Sequence, residues 1–225
     1  MPLSGSAAML LSFDVAPAAI AEHDDWHTHE HLPERLAIPG FLRGSRWVAL
    51  NGEPRYFVMY EVEQLGVLTS QPYLDRLNDP SAWTAKLMPH YRGMTRSFCS
   101  VVASFGLGMG GVGLLVRLAS SPASGSPARD WLQEQLSSLP RKRGVGSVHW
   151  FEAAETPEMT TEQRIRGADA TVNCTLLITG YSVEVFQQMR ASNLMSAELE
   201  RRGVSSVCSG VYRLDYSLTH RELGA

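Results

Sequence analysis

Cysteine is scarce in this chain: Cys99, Cys174 and Cys208 are three in 225 residues, odd in number and far apart. That excludes a disulfide framework or a cysteine-rich zinc site, and in apolar surroundings the three read as reduced thiols in a core, as expected of a cytoplasmic protein. Charge of one sign is also lacking, since 20 Lys+Arg against 23 Asp+Glu leave a net charge of −3. No basic field is available to hold a phosphate backbone, so nucleic acid is not an expected partner. Long hydrophobic runs are missing. The first apolar stretch, from Ala7 to Phe13, is interrupted at Asp14 and has no basic segment before it, too short for a signal sequence or a membrane span; no membrane association is expected. The glycine-rich stretch Gly106 to Gly111, GLGMGG, has no following Lys-Ser/Thr and leads into a strand, which excludes a phosphate loop and leaves a hinge. No motif fixes a reaction or calls for a cofactor or a metal.

What is present is a globular composition, 44% hydrophobic and 19% charged, and a regular order of elements. Met9 to Val15 reads as a buried strand and Ala18 to His29 as a helix, which Pro33 should break by disfavouring α geometry at Leu32. Pro39-Gly40 turns the chain into a hairpin of Ser45 to Asn51 with Arg55 to Val62 across Asn51-Gly52-Glu53-Pro54. A helix from Val67 to Leu77 follows, then a short one capped by Asp79 or Ser81, then a strand from Thr95 to Phe105. This strand-helix-strand-strand-helix-strand order packs as a four-stranded antiparallel sheet with the helices on one face, the ferredoxin-like unit.

The order recurs with strands at Val112 to Leu118, Ser147 to Ala153, Thr171 to Thr179 and Ser206 to Tyr216, and helices at Ala128 to Leu139 and Val183 to Arg202. Trp26 and Trp131 each precede a Leu-Pro pair, and the segment around Ser97 and Cys99 resembles that around Ser206 and Cys208. Self-similarity at one period marks a repeated unit. The expected fold is therefore α+β, two tandem βαββαβ units, 1–106 and 107–225, forming a pseudo-dimeric α/β barrel. Since one chain supplies both halves, a monomer or a homodimer through an outer surface is expected. Ser120 to Pro127 reads as an exposed linker, and the insert between Glu155 and Ala168 as a short helix or flap.

Trp26, Glu30-His31-Leu32-Pro33-Glu34-Arg35 and Pro39-Gly40-Phe41 together resemble the EthD-like and related families of the dimeric α/β-barrel superfamily. Tyr73, Pro80, Trp83, Met88-Pro89, Met94 and Arg96 resemble the continuation found in an uncharacterised branch of it. The resemblance covers residues 9 to 105. It implies a fold more than an activity, because such families include monooxygenases, isomerases, cyclases, decarboxylases and haem-handling enzymes. The second unit has Leu139-Pro140-Arg141 without a histidine and Gly144-Val145-Gly146 in place of Pro-Gly-Phe, so the chemistry is expected in the first unit.

Four histidines lie between positions 23 and 31. On a helix His23, His27 and His31 share a face at i, i+4, i+8, a spacing that can chelate a metal, but with Pro33 ending the helix the third falls out of register. His31 alone is the candidate general acid/base, since its ordinary pKa lies near neutrality; a histidine at a helix end also commonly just bonds nearby carbonyls. Arg96 is the candidate partner for an oxyanion, and Trp26, Trp47, Tyr60, Trp83 and His90 are candidate walls for a flat apolar ligand. Aromatics at such positions also form ordinary core between helix and sheet. The sequence thus points to a small-molecule enzyme acting by proton transfer on an aromatic or polyketide-like carbonyl compound, of cyclase, isomerase, decarboxylase or cofactor-free monooxygenase type. Its alternatives are a non-catalytic hydrophobic-metabolite binding or stress-response protein, and a haem-handling protein with histidine as axial ligand.

Overall fold

The computed structural model describes residues 3–154, 160–167, 169–192, 194–204 and 206–224. The elements run β1 (Ala7–Val15), α1 (Ile20–Trp26), a π-helical turn (His27–His31), α2 (Leu32–Leu36), β2 (Phe41–Asn51), β3 (Tyr56–Val62), α3 (Gln71–Asn78), α4 (Ala82–Leu87) and β4 (Tyr91–Gly106). The second half follows with β5 (Val112–Leu118), α5 (Pro127–Ser138), β6 (Val145–Ala153), α6 (Thr161–Arg166), β7 (Cys174–Gly180), α7 (Val183–Ser192), α8 (Leu194–Arg201) and β8 (Ser206–Thr219). Ser81, not Asp79, caps α4, its hydroxyl accepting from the Thr84 amide at 3.0 Å. The helix expected from Val183 to Arg202 is described over Val183–Ser192 and Leu194–Arg201; residue 193 lies outside the described residues, as do 155–159 and 168 of the insert.

All eight strands join one antiparallel closed barrel in the order β1-β3-β2-β8-β5-β7-β6-β4. Each half contributes a ferredoxin-like sheet, and the halves are stitched by β2 to β8 and by β4 to β6. The two sheets are therefore one hydrogen-bonded surface and not merely a facing pair. Closure removes free strand edges. Equivalent registers link the halves: Phe41, Val62, Ala7 and Ser100 pair in succession, as do Val145, Gly180, Val112 and Arg213. In that frame Cys99, opposite Ala8, corresponds to Tyr212 opposite Gly113, while Cys208 lies opposite Arg117. The Cys99/Cys208 likeness is thus out of register with the fold. Gly40 and Gly144, each just before the second strand of its unit, both adopt φ +89, a left-handed turn that needs glycine but neither a preceding proline nor a following phenylalanine.

Strand alternation sorts the core into three layers. Met9, Phe13, Val58, Tyr60 and Phe98 face the first unit's helices, and Leu114, Val116, Val148, Leu176 and Ile178 face the second unit's. Leu10, Trp47, Phe57, Met59, Cys99, Leu115, Phe151 and Tyr212 fill the barrel interior. Because both faces are covered, β3 and β7 are buried at every position, the reading expected of a strand between two layers. Cys99 and Cys174 are buried free thiols, but Cys208 is only partly buried and meets the Arg117 guanidinium, Nε at 2.8 Å, so it is not the core thiol expected. The linker is exposed from Ala123 to Gly125 yet anchored, with Pro122 buried and Ser121 bonded to Glu152.

Candidate functional site

Pro33 does not break the first helix. The chain passes from α1 to α2 through the π turn, where the Leu32 amide donates to the His27 carbonyl five residues back and Leu32 keeps helical φ/ψ of −62 and −49. A widened turn just ahead of Pro33 relieves the clash between its ring and the preceding turn, so the helix tolerates it. The consequence is that His23, His27, His31 and Arg35 form one stripe facing the sheet. The rings of His23 and His27 have centroids 5.5 Å apart, as do His27 and His31, and the His31 ring lies 4.3 Å from that of Trp26.

This stripe roofs a cavity over the outer face of β1, β3 and β4, lined by His27, His31, Arg35, Tyr60, Arg96 and Glu162 among apolar neighbours such as Met9, Met88 and Met94. About 20 Å³ is open to the centre of a water-sized sphere, room for about one water. The polar lining is buried throughout. Among the described residues His27 Nδ1, Arg35 Nη1 and the Tyr60 hydroxyl lack hydrogen-bond partners, each an arrangement costing about 1–3 kcal/mol. Burial, with the nearby His23, Arg46 and Arg35 charges, holds His27 well below the usual histidine pKa, and burial pushes the Tyr60 phenol up. Both are neutral near pH 7.

Two of the cavity's charged contacts come from the second unit. Glu162 on α6 bonds Arg35 at 2.6 Å, with side-chain exposures of only 3% and 2%. Burial disfavours the guanidinium charge, but the Glu162 carboxylate and the Tyr73 phenol outweigh it and raise the Arg35 pKa. Asp169 faces Arg96 at 3.2 Å. The insert reaches the cavity because β6 ends at Ala153 opposite Cys99, leaving the first turns of β4 uncovered. There the Arg96 amide donates to the Ala170 carbonyl and the Ala170 amide to Met94, at 2.9 and 3.1 Å, extending the ladder.

The structure brings His31, Arg96 and Tyr60 together in the cavity and sets Trp26 behind His31, its indole N–H donating to Glu30 at 3.1 Å. It does not bring the other three there. Trp47 lies on the opposite face of the sheet, in the barrel interior. Trp83 packs partly buried against the helix layer with its N–H on Glu22 at 3.1 Å, and His90 sits beyond the lining. Trp47 and Trp83 follow the ordinary core alternative. Sequence reasoning missed Arg35, although it extends the i, i+4 stripe by one step, and Tyr91, which lines the cavity from the start of β4. Glu162 gave no signal, being brought in by tertiary packing alone. No group of three or more His, Cys, Asp or Glu is arranged for a metal among the described residues, and no described helix is long and apolar enough to cross a membrane.

No family model and no curated protein matches the sequence. Solved structures share the fold. An anthrone oxidase-like protein aligns with a TM-score of 0.64 at 10% identity, over 95% of this chain and 92% of its own. A candidate monooxygenase from Fusobacterium nucleatum aligns at 0.57 and 8% identity, over 96% and 98%. A mutant chlorite dismutase from Candidatus Nitrospira defluvii aligns at 0.51 and 12% identity, over 98% and 94%. The fold is the dimeric α/β barrel of ferredoxin-like units, here within one chain. At such identities the likeness carries the fold alone.

Proposed function

We propose that this chain is a tandem duplication within the dimeric α/β-barrel superfamily, of its EthD-like or a related branch, with units 1–106 and 107–225 and one working cavity in the first. Its activity is proton transfer on an aromatic or polyketide-like carbonyl compound. One observation carries the reading. In the second unit the same layer is filled by Ala128, Leu132 and Leu136 of α5, all buried and apolar at the i, i+4, i+8 spacing of His23, His27 and His31. The fold therefore has no need of the histidines, and a buried polar stripe that packing does not require is retained at the expense of stability. In the proposed reaction His31 takes the proton next to the substrate carbonyl and the Arg96 guanidinium holds the resulting enolate oxygen. With room for about one water at present, a ring-sized substrate enters only when α6 and its Glu162 move outward.

The anthrone oxidase-like neighbour supplies the test compound. In air 1,8-dihydroxyanthrone loses the two hydrogens of its ring methylene and gains one oxygen as a ketone, the second atom of O2 leaving as water, after removal of one methylene proton. The protein is expected to accelerate this, and His31→Ala to reduce the acceleration about a hundredfold while the urea midpoint stays near that of the wild type. No acceleration over buffer, or a His31→Ala protein as active as the wild type, contradicts the reading. Tight binding without turnover favours sequestration, and a Soret band in the purified protein favours haem handling.

A further inference from the structure

At the far end of the histidine stripe three residues are bonded in series. His23 Nδ1 lies 3.1 Å from Asp24 Oδ1, and His23 Nε2 lies 3.2 Å from the Tyr91 hydroxyl. His23 is wholly buried and Tyr91 forms part of the cavity wall, while the Asp24 side chain is 33% exposed. The chain thus runs from the cavity through a buried imidazole to a carboxylate at the surface.

The direction of the hydrogen bonds follows from the donor inventory. An ionised carboxylate only accepts, so Nδ1 carries the proton; in a neutral imidazole Nε2 is then bare and accepts from the Tyr91 O–H. Burial keeps His23 below the usual histidine pKa in spite of Asp24, and the bonds from His23 and Tyr56 hold Asp24 below the usual carboxylate range against its own burial. Asp24 is fixed by the Tyr56 hydroxyl at 2.8 Å on the same oxygen and by Arg46, which donates to its carbonyl at 3.0 Å. In the second unit the buried stripe of α5 begins with Ala128, so this layer packs without a histidine at that step.

We infer that Tyr91, His23 and Asp24 form a proton relay serving the cavity. A ligand proton passes to the Tyr91 oxygen as the phenolic proton moves to His23 Nε2, leaving an imidazolium held against the Asp24 carboxylate and a ligand anion beside Arg96. The transfer is balanced: the ligand loses one proton, the protein gains one, and Asp24 opens a path for it to solvent. Tyr91 is the catalytic residue and His23 and Asp24 are positioning residues. Because Tyr91 touches the ligand, it shares the proton transfer given to His31, and the inference rests on the proposed function in that respect.

The test is deuterium exchange at the ring methylene of 1,8-dihydroxyanthrone without oxygen, together with the 15N spectrum of the His23 ring. Wild-type protein should speed the exchange, Tyr91→Phe should lower it about a hundredfold, and Asp24→Asn should lower it about tenfold or more with the probe's KM unchanged. His23 should be the neutral Nδ1–H tautomer, with Nε2 shifted on Tyr91→Phe. Wild-type exchange matched by Tyr91→Phe, or an Nε2–H tautomer of His23 in the wild type, overturns the relay while leaving the proposed function standing. No exchange by the wild type overturns both.

Discussion

Removing the Glu162 carboxylate is the perturbation whose size the structure fixes best. In Glu162→Ala the Arg35 guanidinium, 2% exposed, loses its 2.6 Å partner, and its Nη1 already has none among the described residues. What remains is a buried charge over the Tyr73 ring at 6.0 Å, too distant to replace a charged hydrogen bond. Breaking one side of such a pair costs about 3–5 kcal/mol, against about 0–1 for an exposed pair. Detaching α6 would let water reach Arg35, so part of the loss should appear as local opening, with faster proteolysis near α6. Urea unfolding with m-values separates the two. Because desolvating both ions offsets most of their attraction, Arg35→Met combined with Glu162→Leu should recover most of the loss. A Glu162→Ala protein within about 1 kcal/mol of the wild type, with α6 no easier to cleave, would refute the reasoning.

Stability should fall on acidification before the carboxylates titrate. His149 is buried in the barrel wall between the Ser104 and Ser147 hydroxyls, and burial lowers its pKa to about 4; His23 and His27 are also lowered, chiefly by burial. Unfolded histidines bind protons below about pH 6.5 while these do not, so stability drops from about pH 6.5 downward. His149 alone contributes a loss of about 3 kcal/mol by pH 4. Urea midpoints across that range check it, and a flat profile that steepens in His149→Leu would contradict it. Trp47→Ala, in the fully buried barrel interior, should cost about 3–5 kcal/mol and leave anthrone turnover per folded molecule unchanged; loss of turnover without loss of stability would place Trp47 at the site instead. Since every strand already has two partners, sedimentation should find either a monomer or a dimer that dissociates without unfolding. An obligate dimer exchanging strands between chains would refute closure within one chain.

The strand order was legible because a barrel wall buried on both faces gives near-continuous apolar runs between glycine and proline turns. β5 begins and ends where Val112 and Leu118 suggest, Pro39-Gly40 lies between α2 and β2, and the turn that starts at Asn51-Gly52 joins β2 to β3. The helix through Pro33 was not, because a proline rule written for α geometry does not anticipate a π turn that absorbs it. That one turn restored His31 to the stripe. Trp47 and Trp83 misled for a different reason: their chemistry suits a ligand wall, but the face of β2 and the placement of α4 are set by packing. Glu162 was beyond sequence reasoning, since its position follows from β6 being shorter than β4.

Where a ligand binds is the most direct test of the account, and the methionines report it. Met9, Met88 and Met94 line the cavity, Met59 lies in the barrel interior with Met109 packed, partly buried, against it, and Met189 packs, partly buried, against the second unit's core. With 13C-methyl methionine, titration with 1,8-dihydroxyanthrone should shift Met9, Met88 and Met94 and leave Met59, Met109 and Met189 in place. Shifts centred on Met59 and Met109 would move the site into the barrel, and shifts at none of the six would mean that the first unit's cavity does not take this class of ligand.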